Sequence, residues 1–412
     1  SSLLVHYTWS ERRGGHYIRT LRAVCFLCCV TVLIGCQEIV QNVPKLPKPL
    51  ISPSGGKFTS NPEVEIDHID PEVEIRYTLD GSDPTTADSL YSGDPLSFNY
   101  EDTVLKARAF KTGYMPSDAA SASFLFIWRR LADMNYARAF HGTAVVNGIP
   151  YVYGGTNQAP EYYNPGTGTW TTFAALGNTR YGGVGAFAAW GDMLYAIGGY
   201  TNTRVAGVER WNPVSPDAWS AMNDLAVARQ NAAATAVGDY IYMFGGATSA
   251  DTYGTTTILR YAPAGDTWST MASVLGSGRH YLAASAIGTK CYVSGGLSGS
   301  TYVNMASLEI YDTVAGSLTA GSDMPEPRCY HAMAAYKGKI YIFGGTHGSD
   351  HLTRVDVYDP SSNTWSSSPT VAPFARWCLA ATPLTDGILV TGGKDATYAS
   401  QKSAWLYVPE ND

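Results

Sequence analysis

The chain has 412 residues and a net charge of −7, and only 15% of its residues are charged. The acidic balance and the lack of Lys/Arg blocks argue against nucleic acid as a partner, and the length calls for more than one domain. Forty-two glycines and 28 tyrosines, with little helical patterning, fit an all-β, exported protein.

The first element is a targeting segment. Arg12, Arg13, Arg19 and Arg22 precede a twelve-residue apolar run, 23–34, too short to span a bilayer comfortably. The run closes on Leu33-Ile34-Gly35-Cys36. Four of the seven cysteines lie here; Cys291, Cys329 and Cys378 fall in separate units with no short spacing. That predicts neither a disulfide framework nor a metal site, and the three read as small buried hydrophobes. Residues 37–49 carry Pro44, Pro47 and Pro49 and read as an extended tether.

Residues 50–126 alternate at period two around Val64-Glu65-Ile66, Val73–Tyr77 and Val104–Phe110, which predicts strands. Between them Leu79-Asp80-Gly81-Ser82-Asp83-Pro84-Thr85 reads as a structural turn.

From residue 127 the chain repeats. Gly-Gly pairs begin at Gly154, Gly198, Gly245, Gly295, Gly344 and Gly392, 44 to 50 residues apart, the mark of a stacked repeat architecture. Arg138, Arg229, Arg279, Arg328 and Arg376 stand 16 residues before their pairs, and Arg180 stands 18 before its own. After the pairs come an aromatic and a second large residue, as in Tyr163/Trp170, Trp211/Trp219, Tyr261/Trp268, Tyr311/Leu318 and Tyr358/Trp365. Short apolar runs between these marks give four strands per unit, a to d, with Gly-Gly closing strand b. The sixth unit lacks its own strand d. Trp128 stands ten residues before Arg138, as Trp170 does before Arg180, so 126–130 is expected to supply it and remove the exposed edges.

Three resemblances follow from these residues. The 127–409 repeat resembles the kelch repeat, which implies a six-bladed β-propeller. Residues 50–126, through Ile51-Ser52-Pro53-Ser54-Gly55-Gly56 and the Tyr77–Thr85 turn, resemble the Ig-like domain at the C-terminus of chitobiases and β-hexosaminidases, an accessory module in those enzymes. Leu33–Cys36 resembles the bacterial lipobox, which implies that residues 1–36 are a signal peptide and that Cys36 is lipidated. The expected fold is therefore all-β: a six-bladed kelch β-propeller, closed by 126–130, preceded by a small Ig-like β-sandwich.

Propeller geometry puts the a–b and c–d turns on one face and the d–a and b–c loops on the other. The first set is tight here; the b–c loops vary from 9 to 16 residues between Gly-Gly and aromatic. Variable loops on a rigid scaffold are where recognition concentrates. On that face we expect a shallow axial pocket ringed by Arg138, Arg180, Arg229, Arg279, Arg328 and Arg376, able to meet an anion; the alternative is that these arginines are scaffold, bonding carbonyls of the next blade. Its rim is expected from His141, Tyr181, His280, Tyr330, His331 and Trp377. The acids Glu161, Glu209, Glu309 and Asp356 recur two residues before the strand-c aromatic, which reads as scaffold rather than catalysis. No nucleophile elbow, zinc, P-loop or Rossmann fingerprint is present. The expectation is a monomeric lipoprotein of the bacterial envelope, at the outer membrane or cell surface. It meets the membrane only through its lipid, has no cofactor and binds a glycan or a protein without catalysis. The alternatives are a sugar-processing enzyme resembling sialic-acid mutarotases, and a purely structural envelope protein.

Overall fold

Every strand run between turn residues folds as a strand, and the described residues contain no α-helix. The structure is a computed structural model and describes residues 43–155, 159–177, 186–215, 218–368 and 370–409. The leader, Cys36, Arg180 and Tyr181 lie outside the described residues. The chain divides into two units, one of 43–56, 62–98 and 102–125, the other of 57–61, 99–101 and 126–409.

In the smaller unit, Thr103–Phe110 pairs antiparallel with both Glu74–Thr78 and Ala120–Phe126, and Leu50–Ser52 pairs with Glu65–Asp67. Alternation sets the faces: every second residue of Thr103–Phe110 and of Ala120–Phe126 is buried, and Leu105, Ala107, Ala109 and Phe124 have no or almost no exposure. Asp80 accepts from the Ser82 amide and hydroxyl, and Asp83 pairs with Lys106 at 2.7 Å, so both acids serve the turn. The Pro-rich stretch is not free throughout. The Leu46 N–H donates to Met115, Met115 donates back to Pro44, and Leu46 is buried. Burial of the apolar Leu46 side chain favours the docking.

The larger unit holds six four-stranded antiparallel sheets in chain order. Their first strands are His141–Val146, Ala186–Trp190, Ala233–Val237, Ala283–Ile287, Ala332–Tyr336 and Ala380–Leu384. Each packs beside the next, and Ala380–Leu384 packs beside His141–Val146. These strands are alanine-rich because they crowd together, where only short side chains fit. The sixth sheet takes Trp128–Leu131 as its fourth strand, with Trp128 opposite Tyr407. That is the register of Trp170 opposite Tyr163, Trp268 opposite Tyr261 and Trp365 opposite Tyr358.

Large apolar side chains fill the space between sheets. One cluster joins Trp128, Tyr341, Phe343 and Tyr407; another joins Tyr153, Trp211 and Trp219. The outer tryptophans also donate across sheets: Trp170 to the Ala132 carbonyl at 2.8 Å, Trp219 to Ala174 at 2.9 Å, Trp268 to Asn223 at 2.9 Å and Trp365 to Ser322 at 2.8 Å. Leu318 lacks that donor, and at the same joint Ser273 donates to the Gly316 carbonyl at 2.6 Å.

Candidate recognition face

The arginine spacing has a structural cause. Each described arginine folds onto its own sheet and donates from Nη1 to the carbonyl of the first glycine of its pair. Arg138 reaches Gly154 at 3.3 Å, Arg229 reaches Gly245 at 3.0 Å, Arg279 reaches Gly295 at 3.4 Å, Arg328 reaches Gly344 at 3.2 Å and Arg376 reaches Gly392 at 3.0 Å. From the second sheet to the fifth the second glycine's N–H donates to the carbonyl of the following sheet's arginine, and Gly393 donates to Arg138 at 2.8 Å. Glycine is required: a Cβ on Gly295 would sit 2.4 Å from the Arg328 carbonyl oxygen, and φ there is +56°.

For the five described arginines the expected ring around a mouth is therefore corrected. Arg138, Arg279 and Arg328 are essentially unexposed, Arg229 is 4% exposed and Arg376 is half-buried. Burying a long charged side chain is costly unless it is paired. Arg138 pairs with Glu161 at 2.9 Å, Arg279 with Glu309 and Arg328 with Asp356, all buried. Three of the four acids read as scaffold, Glu161, Glu309 and Asp356, are the counter-ions.

Two sheets depart from this pairing. Glu161, Glu309 and Asp356 stand opposite Val152, Val293 and Ile342; at the same register the third sheet has Leu259 opposite Met243 and the sixth has Trp405 opposite Val390. Arg229 is left with the Gly245 carbonyl and an unbonded Nε; Arg376 binds Gly392 and the Ser403 hydroxyl. Desolvation pulls both guanidinium pKa values down to about 10.

The histidines also face inward. His141 Nε2 meets the Thr391 hydroxyl at 2.8 Å, and His331 Nε2 meets the Ser294 hydroxyl at 2.8 Å. Burial, with the nearby arginine, pushes both pKa values down to about 3, so both rings are neutral near pH 7. His280 is buried and lowered by the same cause.

Tyr330 and Trp377 do lie on the loop face, with companions that sequence reasoning missed. Two residues past the arginines, Phe140, Asn231, Tyr281, Tyr330 and Cys378 all have φ between 55° and 59°. Their backbones form an axial collar. The Phe140 N–H donates to Cys378, Cys378 to Tyr330, Tyr330 to Tyr281 and Tyr281 to Asn231, at 2.8–3.1 Å. The collar surrounds a cavity of about 70 Å³. A left-handed backbone at a bulky residue costs on the order of 1–3 kcal/mol and persists where the surroundings enforce it.

Around the collar stand loop aromatics. Tyr253, Tyr302 and Tyr398 are 43%, 56% and 64% exposed. Tyr302 packs on Tyr253 and on His280; Tyr398 packs on Trp377, and His351 stacks on Trp377 at an interplanar angle of 17°. The b–c loops are tied to the face by bridges Gln230↔Ala247, His280↔Leu297, Cys329↔Thr346 and Trp377↔Lys394. Among the described residues no group of three or more His, Cys, Asp or Glu side chains could hold a metal ion.

Comparison with known proteins places these features. A family model described as the KLHDC2/KLHL20/DRC7 Kelch-repeats domain matches residues 186–393, and one described as the Chitobiase/beta-hexosaminidase C-terminal domain matches residues 53–121. Kelch-like protein 25 of Xenopus tropicalis is 30% identical over 193 residues, 44% of this chain and 31% of that protein. Kelch-like protein terF of Aspergillus terreus is 24% identical over 332 residues, covering 76% and 67%. Beta-scruin of Limulus polyphemus is 25% identical over 269 residues, covering 54% and 28%. The chain thus spans about a third or less of two of these three relatives. The solved structure titled "Structure of YjhT" aligns with a TM-score of 0.59 at 15% identity, over 66% of this chain and 95% of that one, a likeness of fold.

Proposed function

We propose that this chain, which belongs to the kelch-repeat family, is an envelope-anchored, non-catalytic recognition protein. In this reading it is a monomer: a lipid on Cys36 holds it, the chitobiase-type Ig-like sandwich spaces it from the membrane, and a six-bladed propeller presents its loop face to a glycan or protein ligand. Trp128–Leu131 is the fourth strand of the last blade and closes the ring.

The observation that carries the reading is the contrast between the two ends of the sheets. One end is tight turns such as Asn147-Gly148, both with positive φ. The other gathers the long loops, the strained collar and three exposed tyrosines. A strained collar with exposed aromatics around it favours recognition over a purely structural role.

Thermal melting of the whole chain against a panel of glycans and candidate proteins tests this. A ligand at a hundred times its dissociation constant should stabilise the fold by about 2.7 kcal/mol, and Tyr398→Ala should remove the shift. A ligand whose binding is untouched by substitutions on this face would refute the assignment. For the anchor, fatty-acid labelling should vanish in Cys36→Ala; labelling that persists would refute it.

A further inference from the structure

The loop face carries a connected line of aromatic rings. From the third sheet's loop to the sixth's it runs Tyr253 and Tyr302, then through the buried His280 to Tyr281, Tyr330, Trp377 and Tyr398. Ring centroids along it are 4.1 to 6.2 Å apart. Four of these rings, at Tyr281, Tyr302, Tyr330 and Tyr398, are held at φ between 54° and 66°, and Phe140, packed on Tyr281, Tyr330 and Trp377, has φ 59°. Strain repeated at aromatic positions on one face shows that the rings are held in place rather than resting there by default.

Three further observations narrow the ligand. The arginines are turned away: Arg138, Arg279 and Arg328 are buried against their own acids, Arg229 and Arg376 are held on carbonyls of their own sheets, and Lys394 lies over Trp377 and Phe140 at 5.4 and 5.8 Å. An anionic ligand therefore finds no ring of exposed guanidinium groups there among the described residues. The backbone is spent, since the bridges from the b–c loops to Gln230, His280, Cys329 and Trp377 use the groups that an added peptide strand would need. Depth is lacking as well: the axial cavity of about 70 Å³ is far too small for a peptide's anchoring side chain. What remains is a shallow strip of ring faces and hydroxyls, suited to flat, uncharged rings with apolar faces and polar edges.

Resting on the recognition reading above, we propose that this strip binds an uncharged glycan chain, its sugar rings stacked on Tyr302 and Tyr253 at one end and on Trp377 and Tyr398 at the other, with the collar tyrosines between.

The test is titration of the full chain with neutral hexasaccharides of β-1,4-glucose, β-1,4-N-acetylglucosamine, β-1,4-mannose and β-1,3-glucose, beside a galacturonic acid hexasaccharide, followed by indole fluorescence and calorimetry. At least one neutral hexasaccharide should bind with an affinity that does not change between low and high salt. Tyr302→Ala and Tyr398→Ala, both exposed and so free to change without unfolding the chain, should each weaken it about tenfold with an unaltered melting temperature. Binding of none of the neutral chains, or of the acidic one alone with strong salt dependence, overturns the inference. A protein ligand lost in the same two variants would overturn the glycan and keep the recognition face. Glycan binding that survives both substitutions sinks both.

Discussion

Removing the carboxylate at Asp356 should cost the fold several kilocalories. Asp356 and Arg328 have unexposed side chains and pair directly. Asp356 also accepts from Arg354 at 2.8 Å and from the Ser367 hydroxyl at 2.7 Å, while Arg328 keeps the Gly344 carbonyl at 3.2 Å. In Asp356→Asn the shape survives but Arg328 becomes a buried charge with only neutral acceptors. Removing one partner of such a pair costs about 3–5 kcal/mol. Arg354 is 32% exposed, so solvent screens its share and it adds little. At roughly 2–4 °C per kcal/mol for a unit of this size, the melting temperature should fall by on the order of 10 °C. Calorimetry of the full chain, with Asp356→Asn, Arg328→Met and the double variant, gives the pair's coupling; the double should cost less than the two singles added. A loss below about 1 kcal/mol in Asp356→Asn would refute the view that these arginines are neutralised scaffold.

Leu259→Glu should do the opposite, supplying Arg229 with the counter-ion that other sheets have; a coupling of about 1.5–3 kcal/mol with Arg229→Met is expected in a double-mutant cycle, and a coupling near zero would deny the register argument. His141 and His331 are held down to about 3 from the usual 6.5, so the unfolded chain binds protons that the folded one does not. Their stabilisation is present above pH 6.5 and is lost towards pH 3 at up to about 1.4 kcal/mol per pH unit each; His141→Gln with His331→Gln should flatten that limb of the acid melts, and an unchanged slope would count against buried neutral rings. A chain beginning at residue 136 loses the strand opposite Ala404–Tyr407, and should melt lower and aggregate through that edge; a monomer with unchanged melting would contradict ring closure.

Much of this molecule was legible because the repeat forces the same physics six times. The Gly-Gly pairs, the alternating runs and the aromatic-to-tryptophan spacing reflect strand pairing and inter-sheet packing, which are local and periodic, and they carried the kelch family and the small domain's resemblance. The acids were readable as scaffold because they recur. Their partners were not, since a fixed 16-residue interval from arginine to Gly-Gly says that the two meet but not whether the guanidinium turns inward or out. Burial decides it, and burial is a property of the tertiary packing.

The collar was hidden for a different reason. Phenylalanine and tyrosine carry no local preference for a left-handed backbone, so Phe140, Tyr281 and Tyr330 gave no signal individually. A signal existed in alignment: two residues past the arginines the chain reads Phe140, Gly182, Asn231, Tyr281, Tyr330 and Cys378, and glycine and asparagine are the residues that accept positive φ. The column, rather than any one residue, disclosed the backbone. The loop tyrosines had no such column, because Tyr253, Tyr302 and Tyr398 sit in loops of differing length. What repeats here supports the fold, and what escapes the repeat lines the loop face, so the exposed Tyr253, Tyr302 and Tyr398 are a better guide to that face than the arginines that recur.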